Sequence, residues 1–205
     1  MTARLELSRP HARALALIAP LVAAVQPDQL ELPTPCAGWP LRRLLAHLIG
    51  QQYGFARAAR GRGADPAGWA DHPVAAGPGA ALAALAGFAD SAAQLVDAFA
   101  AAEAQDATLA LPEIRPGHLF PATQAIGFHL LDTLVHGWDL AATLGVPFDC
   151  PPDLAELLLW IAEQVPVDPE VRGPGRAFAP VRPVGADSPF DRALLLLGRD
   201  PRWRP

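Results

Sequence analysis

The sequence predicts an all-α protein, built as a four-helix bundle with long connections and a short proline-rich C-terminal extension. Three observations lead to this fold class. Four long segments place apolar residues at helical spacing, proline and glycine bracket each segment, and strand-like alternation is weak throughout. The 205 residues suit a single domain over 1–205, in which residues 165–205 pack on the bundle and are too few to form a core of their own.

Start and stop signals place the helices in order along the chain. The breaker-rich stretch QPDQLELPTP ends the first helix, Pro40 suits the first turn of the second, and Gly145 and Pro147 stop the fourth. PPD starts a fifth helix, DRALLLLG predicts a terminal helix or turn, and AFAPVRPV at 177–184 predicts at most one short extended edge. The predicted helix bounds are about 8–26, 41–60, 80–102, 122–144, 153–164 and 191–198.

Composition and charge exclude several classes of function. All 16 basic residues are arginine and the net charge is −5, which argues against binding the phosphate backbone of a nucleic acid. No stretch reaches the roughly 18–20 apolar residues that span a bilayer. With only Cys36 and Cys150, a disulfide framework is not indicated. Two reduced thiols in a cytoplasmic protein are the expectation, although one bridge stays open.

One stretch, HLLDTLVHGWD at 129–139, places polar side chains along a mostly apolar helix. With about 100° of rotation per residue, four of them fall on one stripe roughly 80° wide. They are His129, Asp132, His136 and Asp139. Buried imidazoles and carboxylates cost free energy unless they are paired or bound to a metal. The stripe therefore faces either an internal site or a narrow strip of water, and the spacing leaves both open.

A metal ion needs ligands from more than one direction, so a second helix should contribute one. His47, in LRRLLAHLIGQQYG, lies at the flank of the apolar stripe of its helix and is either a rim residue or that ligand. Trp39 is either a packing residue at a bundle end or the wall of a ligand pocket. Cys36 is a weaker candidate for a nucleophile, because no histidine or aspartate lies near it in the sequence.

Three stretches resemble one family: TPCAGWPLRRLLAHLIG, FHLLDTLVHGWDLAATLG and DRALLLLGRDPRW. They are similar to actinobacterial single-domain metal-binding proteins of the DinB-like, mycothiol-dependent maleylpyruvate isomerase superfamily. The resemblance follows the chain in order over nearly its whole length, and it implies a four-helix bundle with a divalent metal at one end. It also implies three protein ligands, a histidine of the second helix and a carboxylate-x-x-x-histidine pair, which fall on His47, Asp132 and His136.

The implied ligand set suits zinc first, with nickel and iron as alternatives. Three protein ligands leave a coordination position for water or substrate. His129 is then a fourth ligand or a partner that orients Asp132, and Asp139 either holds a ligating imidazole or faces solvent. Trp39 and Tyr53 are expected to line the pocket that holds the co-substrate.

The function that follows from the resemblance is a cytoplasmic, metal-dependent enzyme with mycothiol as its co-substrate. It would be an S-transferase or isomerase in which a metal-activated thiolate attacks a small electrophile. The alternative is a non-catalytic metal-binding sensor, carrier or structural bundle protein, so catalysis itself stays open. A homodimer is compatible with either function, and neither involves a nucleic acid or a membrane.

Two departures argue against maleylpyruvate isomerisation itself. The isomerase is similar to a two-domain enzyme, whereas residues 165–205 leave no room here for a second cored domain. The carboxylate is that of Asp132, where the isomerase-type motif has a glutamate, which is one methylene longer. The metal site and the thiol chemistry are the parts of the resemblance that carry over.

Overall fold

The computed structural model describes residues 5–168, 172–173, 178–183 and 185–205. Over these residues the chain is helical apart from one two-stranded hairpin, which confirms the all-α prediction. The α-helices are α1 (Ser8–Ala24), α2 (Leu41–Ala59), α3 (Ala80–Ala104), α4 (Ala122–Leu144), α5 (Pro152–Ala162) and α6 (Pro189–Leu196). Short 3-10 helices cover Pro27–Gln29 and Pro66–Trp69, and the hairpin pairs β1 (Thr108–Ala110) with β2 (Leu119–Pro121).

The first four helices form the bundle. α1 packs against α3 and α4, and α2 packs against the same two helices, so that each long helix buries an apolar face on its neighbours. Most of the core lies between them and includes the fully buried side chains of Ile18, Leu44, Leu48, Phe99 and Ile126. The predicted bounds of these helices differ from the structure by two residues at most.

The C-terminal part of the chain packs on the second half of α4. α5 contacts both α4 and α6, and a second apolar cluster joins Leu134, Leu158 and Leu194 of these three helices. The buried guanidinium of Arg172 donates hydrogen bonds to the carbonyl groups of Pro166 and Leu196, which follow α5 and end α6. These bonds satisfy carbonyl groups that lack helical partners, and they fix the end of α6 next to the bundle.

Two details differ from the sequence prediction. The antiparallel hairpin was not expected, because strands of three residues are too short to show an alternating pattern. In the predicted extended edge at 177–184, both end positions lie outside the described residues. Phe178 makes a single parallel bridge with Arg172, and the described part of the segment forms no strand.

α3 is long and apolar enough to span a membrane by length and composition, which the sequence analysis did not anticipate. Its 25 residues reach a mean hydropathy of 1.2 over the most apolar window, and 33% of that window is buried. Alanine supplies much of this hydropathy, and core helices of soluble proteins meet the same criterion. In this structure the helix packs against α1 and α2.

Candidate metal centre

α2 and α4 bring together the three residues that the sequence analysis proposed as ligands. Nε2 of His136 lies 3.3 Å from Oδ1 of Asp132, and Nε2 of His47 lies 3.8 Å from the same oxygen. One ligand atom from each of the three residues lies within 4.8 Å of the other two. Two imidazoles and one carboxylate therefore converge on a single point between the helices.

The local sequence explains this convergence. Asp132 and His136 are one helical turn apart, so both project from the same side of α4. On α2, the buried side chains of Leu44 and Leu48 face the core and leave His47 at the edge that faces α4. Since α2 packs against α4, this edge brings the imidazole of His47 to the carboxylate of Asp132.

A loop over α2 supplies a carboxylate on the far side of His47. Gly50 permits this close approach, since a Cβ atom there would lie 2.6 Å from the carbonyl oxygen of Ala70. The loop is held by a hydrogen bond from the backbone N–H of His72 to the carbonyl of Ala46. As a result, Oδ1 of Asp71 lies 3.2 Å from Nδ1 of His47.

Asp139 contacts His136 as Asp71 contacts His47, with Oδ2 of Asp139 at 2.8 Å from Nδ1 of His136. In both imidazoles the Nδ1–H can donate to a carboxylate, which leaves the lone pair of Nε2 directed at Asp132. This tautomer is assigned from the hydrogen-bond network. Metal-binding histidines are held in this way by carboxylates behind them, and the arrangement sets both tautomer and ring orientation.

The electrostatics of Asp132 fit a bound cation. Its Oδ2 atom is buried and has no hydrogen-bond partner among the described residues. Burial alone would raise the pKa of Asp132, but the imidazoles of His136 and His47 lower it well below its usual range. Burial would likewise lower the pKa of His136, yet Asp132, Cys36 and Asp139 raise it well above its ordinary value. A site that stabilises a proton between these groups can stabilise a divalent ion in the same place.

The segment before α2 places two further residues against His136. The hydroxyl of Thr34 donates to the carbonyl of Trp39 and accepts from the N–H of Cys36, and Gly38 turns the chain with φ +78°. This turn brings the sulfur of Cys36 within 3.8 Å of Nδ1 of His136 and 3.2 Å of Oδ2 of Asp139. No histidine or aspartate lies near Cys36 in the sequence, but in the structure α4 supplies both partners, His136 and Asp139.

Arg199 joins this cluster from the residues after α6, and the sequence analysis gave it no role. Its Nε donates to Oδ1 of Asp139 at 3.1 Å, and its Nη2 lies 3.0 Å from both Oδ2 of Asp139 and the sulfur of Cys36. Burial would lower the pKa of Arg199, but Asp139 and Cys36 raise it above its ordinary value. Its one sequence signal is its position in DRALLLLGRDPRW, a stretch that carries part of the family resemblance.

The structure brings one of the two expected pocket residues to the site. The ring of Trp39 lies edge-on to His47 at 5.0 Å and is stacked on His136 at 6.2 Å, and the guanidinium of Arg43 lies over the same ring at 4.5 Å. Tyr53 is not among these contacts. Its hydroxyl donates to Asp90 on α3 at 2.6 Å, and its pKa rises to about 12 through burial and this bond.

His129 lies outside the convergent group. Its Nδ1 is 2.8 Å from Nε2 of His11 on α1 and 3.0 Å from the hydroxyl of Thr133. The rings of Phe55 and Phe99 pack around it, and its side chain is fully buried. These contacts join His129 to α1 and to its own helix, and the role of ligand or partner to Asp132 that the stripe suggested stays a prediction.

A cavity of about 380 Å³ is lined by residues that flank Trp39 and His47 in the sequence, although neither of these two residues lines it. Arg43, whose guanidinium covers the ring of Trp39, lines it together with Arg42. Its remaining walls come from the turn before α2, from α2 itself and from the loop that carries Asp71, through Gly38, Pro40, Ala46, Pro73 and Val74.

The fold and the site together define a class of protein: helical bundles in which facing helices direct histidines and a carboxylate at one point. Residues 11–141 match the family described as the mycothiol maleylpyruvate isomerase N-terminal domain, and the chain belongs to that family. The match covers α2 and α3 completely and α4 as far as residue 141, and it includes each of the three convergent residues.

Comparison with individual proteins agrees with this assignment. Uncharacterized proteins from two strains of Mycobacterium tuberculosis, CDC 1551 and H37Rv, are 35% identical to this chain over 195 residues, which is 94% of this chain and 97% of theirs. The crystal structure of the mycothiol-dependent maleylpyruvate isomerase aligns with a TM-score of 0.57 and 16% identity, over 97% of this chain and 91% of that one. A mutant of such an isomerase gives a TM-score of 0.52 and 17% identity, over 78% of this chain and 70% of that one.

These alignments correct one expectation. The sequence analysis took the isomerase to carry a second domain for which this chain has no room. The structural alignment extends over 91% of the isomerase chain, so the two molecules share most of their length. Chain length is therefore no argument against an isomerase-like activity, although identities of 16% and 17% support a common fold alone.

Proposed function

We propose that this protein is a divalent-metal-dependent enzyme that takes mycothiol as co-substrate and adds its sulfur to a small electrophile, by S-transfer or by reversible addition with isomerisation. The observation that carries the proposal is the convergence of the Nε2 atoms of His47 and His136 on Oδ1 of Asp132. Family membership supports the choice of thiol. The proposed location is the cytoplasm, where the free thiols of Cys36 and Cys150 stay reduced.

The donor atoms argue for zinc as the natural ion. Two imidazoles and one carboxylate with an open position are a ligand set of catalytic zinc sites, and nickel or iron(II) are the alternatives. A bound ion would lower the pKa of a coordinated thiol and hold it as the thiolate at neutral pH. Asp71 and Asp139 would hold the two imidazoles in the tautomer that keeps Nε2 free to bind.

Trp39 and the arginine-lined cavity supply the binding surface in this proposal. The ring of Trp39 packs against both imidazoles and would limit the access of water from that side of the centre. Arg43 lies over the same ring, and its guanidinium can orient an acceptor group of either substrate. The sulfur and the electrophile would thus be held next to each other before they react.

Isothermal titration of the zinc-loaded protein with mycothiol tests the proposal, combined with thiol-conjugation assays on several electrophiles. We expect binding and accelerated conjugation in the wild type, and loss of both in His47→Ala. His118→Ala is the matched control, because this exposed histidine belongs to neither group of convergent ligand atoms. Zinc-loaded protein that binds no mycothiol and accelerates no conjugation would refute the enzyme and leave the non-catalytic metal protein.

A further inference from the structure

Two sets of candidate ligands meet at one imidazole. The first ligand set is His47, Asp132 and His136, and the second ligand set is Cys36, His136 and Asp139. Within each set the ligand atoms lie within 4.8 Å of one another. His136 belongs to both because its Nε2 faces Asp132 while its Nδ1 faces Cys36 and Asp139.

The two sets differ in whether the protein itself supplies a cation. Oδ2 of Asp139 and the sulfur of Cys36 are each 3.0 Å from Nη2 of Arg199, so the guanidinium lies where an ion shared by these atoms would lie. Asp139 is fully buried, and the side chain of Arg199 is only 12% exposed. Within the described part of the chain, Asp132 has no arginine partner, and its ion pairs are with histidines alone.

This difference has a chemical consequence. Sulfur, imidazole nitrogen and carboxylate oxygen form a ligand set that binds zinc, cobalt or cadmium well, and its thiolate makes it softer than the first ligand set. A guanidinium and a metal ion cannot both occupy the space between the same sulfur and the same carboxylate. The buried charge of Asp139 also requires one cation, because an unpaired buried carboxylate is strongly unfavourable.

We propose that Arg199 is a built-in cation that fills the second ligand set and thereby confines the divalent ion to the first. The inference rests on the proposed function only for the ion in the first ligand set. Arg199 is in this account a residue that determines which atoms bind the metal, and it acts without contacting the ion. The C-terminal residues after α6 thus contribute to the selectivity of a centre built on α2 and α4.

Removal of the guanidinium should open the second ligand set. In Arg199→Met a divalent ion can bind Nδ1 of His136, Oδ2 of Asp139 and the sulfur of Cys36. Binding breaks the S–H bond of Cys36 and the Nδ1–H bond of His136, forms a sulfur–metal bond and a nitrogen–metal bond, and releases both protons to the buffer, with no change of oxidation state. With the first ion on Nε2, the ring of His136 would then be an imidazolate that bridges the two ions. Cobalt(II) is the probe, because a cobalt–thiolate bond produces an intense near-ultraviolet charge-transfer band that imidazole and carboxylate ligands do not.

The experiment titrates wild type and variants with cobalt(II) and records the thiolate band together with the number of ions bound per chain. We expect no band in the wild type, a band and one additional ion in Arg199→Met, and no band in Arg199→Met/Cys36→Ser. Arg182→Met is the matched control, because Arg182 is exposed and pairs with Asp200 instead. A band in wild type, or its absence from folded Arg199→Met, would overturn the proposal.

Arg199→Gln repeats the test if the methionine variant fails to fold, with circular dichroism as the check on folding. Arg199→Lys is a second control. It keeps a positive charge beside Asp139 and should therefore show no thiolate band. A band in the folded lysine variant would contradict the proposal. A wild type that binds no ion would instead refute the proposed metal centre, and the thiolate comparison between wild type and Arg199 variants would still stand.

Discussion

Two histidines of α4, seven residues apart, occupy opposite kinds of environment. His129 faces α1, where it pairs with His11 among phenylalanine rings. His136 faces the end of α2, where Asp132, Asp139 and Cys36 surround it. Burial lowers the pKa of His129 to about 4, whereas the carboxylates raise the pKa of His136 well above its ordinary value. The surroundings of His129 favour a neutral imidazole, and those of His136 favour positive charge.

Burial alone does not distinguish the two histidines. Both side chains are at least nine-tenths buried, and both lie on the same polar stripe of the helix. What separates them is the charge of their partners, since His129 meets a second neutral imidazole and His136 meets two carboxylates. Of the two environments, only the second offers the negative charge that would stabilise a divalent ion.

The largest expected effect is the loss of metal affinity when a residue of the first ligand set is removed. Asp132→Ala deletes the one charged ligand of this set. The affinity of the variant for zinc should be lower than that of wild type by more than about 100-fold, which exceeds the loss typical of residues that only hold a ligand in place. Competition with a chromogenic chelator measures this change. Asp90→Ala is the control on an exposed carboxylate of α3, and an equal loss there would show that the effect is nonspecific.

The next effect concerns the carboxylates behind the imidazoles. Asp139→Asn should weaken zinc binding by about 10- to 100-fold, because the amide no longer fixes the tautomer of His136 through a charged hydrogen bond. Asp71→Asn should cost less, since Asp71 is 42% exposed and its contact with His47 is longer, at 3.2 Å. The same chelator competition ranks the two variants, and a greater loss in Asp71→Asn would contradict the assignment.

The neutral pair of His11 and His129 predicts acid sensitivity of the fold. Both pKa values are lowered in the folded state, so between pH 6.5 and about 4 the unfolded chain binds protons that the native state does not. The free energy of unfolding should therefore decrease as the pH is lowered through this window, by up to about 1.4 kcal/mol per pH unit for each imidazole. Urea unfolding of metal-free protein at several pH values measures the slope.

The double variant His11→Leu/His129→Leu is the control for this slope. It removes both imidazoles from the apolar region and should flatten the dependence between pH 6.5 and 4, whatever its effect on stability at pH 7. His136 adds no slope in this window, because its pKa is raised in the folded state. Its stabilising effect is fully present below pH 6.5 and is lost only as the pH rises towards the folded pKa. An unchanged slope in the double variant would show that other groups cause the acid sensitivity.

The smallest expected effect is that of Tyr53→Phe. The hydroxyl of Tyr53 binds Asp90 on α3 and makes no contact with the first ligand set among the described residues, so zinc affinity should change by less than about twofold. Mycothiol titration of the zinc-loaded variant is the sharper measurement. A substantial loss of thiol affinity would support the prediction from the sequence that Tyr53 lines the pocket for the co-substrate.

The sequence predicted the helices well for a physical reason. Proline and glycine interrupt the helical pattern at each end of α4, so the bounds of that helix follow from Ala122 and Gly145 directly. The same helical geometry placed Asp132 and His136 one turn apart on one face. The position of His47 opposite them was implied by family resemblance, because spacing alone left it as either a rim residue or a ligand.

The rest of the site depends on contacts between distant segments. Cys36 and Arg199 are 163 residues apart and meet because the turn before α2 and the residues after α6 both contact Asp139 of α4. Residue spacing also cannot predict that His129 and His136 contact different partners, since a stripe about 80° wide on one helix can face two different neighbours. Periodicity identifies a face of a helix, and tertiary packing decides what that face meets.

The most direct test of the central claim is elemental analysis of the metal content per chain, in protein purified without chelators. The comparison requires wild type, His136→Ala and His129→Leu, which change the two histidines of the same helix. We predict about one divalent ion per chain in wild type and in His129→Leu, and none in His136→Ala. A metal-free wild type, or an ion retained in His136→Ala, would contradict the account of a metal centre on α2 and α4.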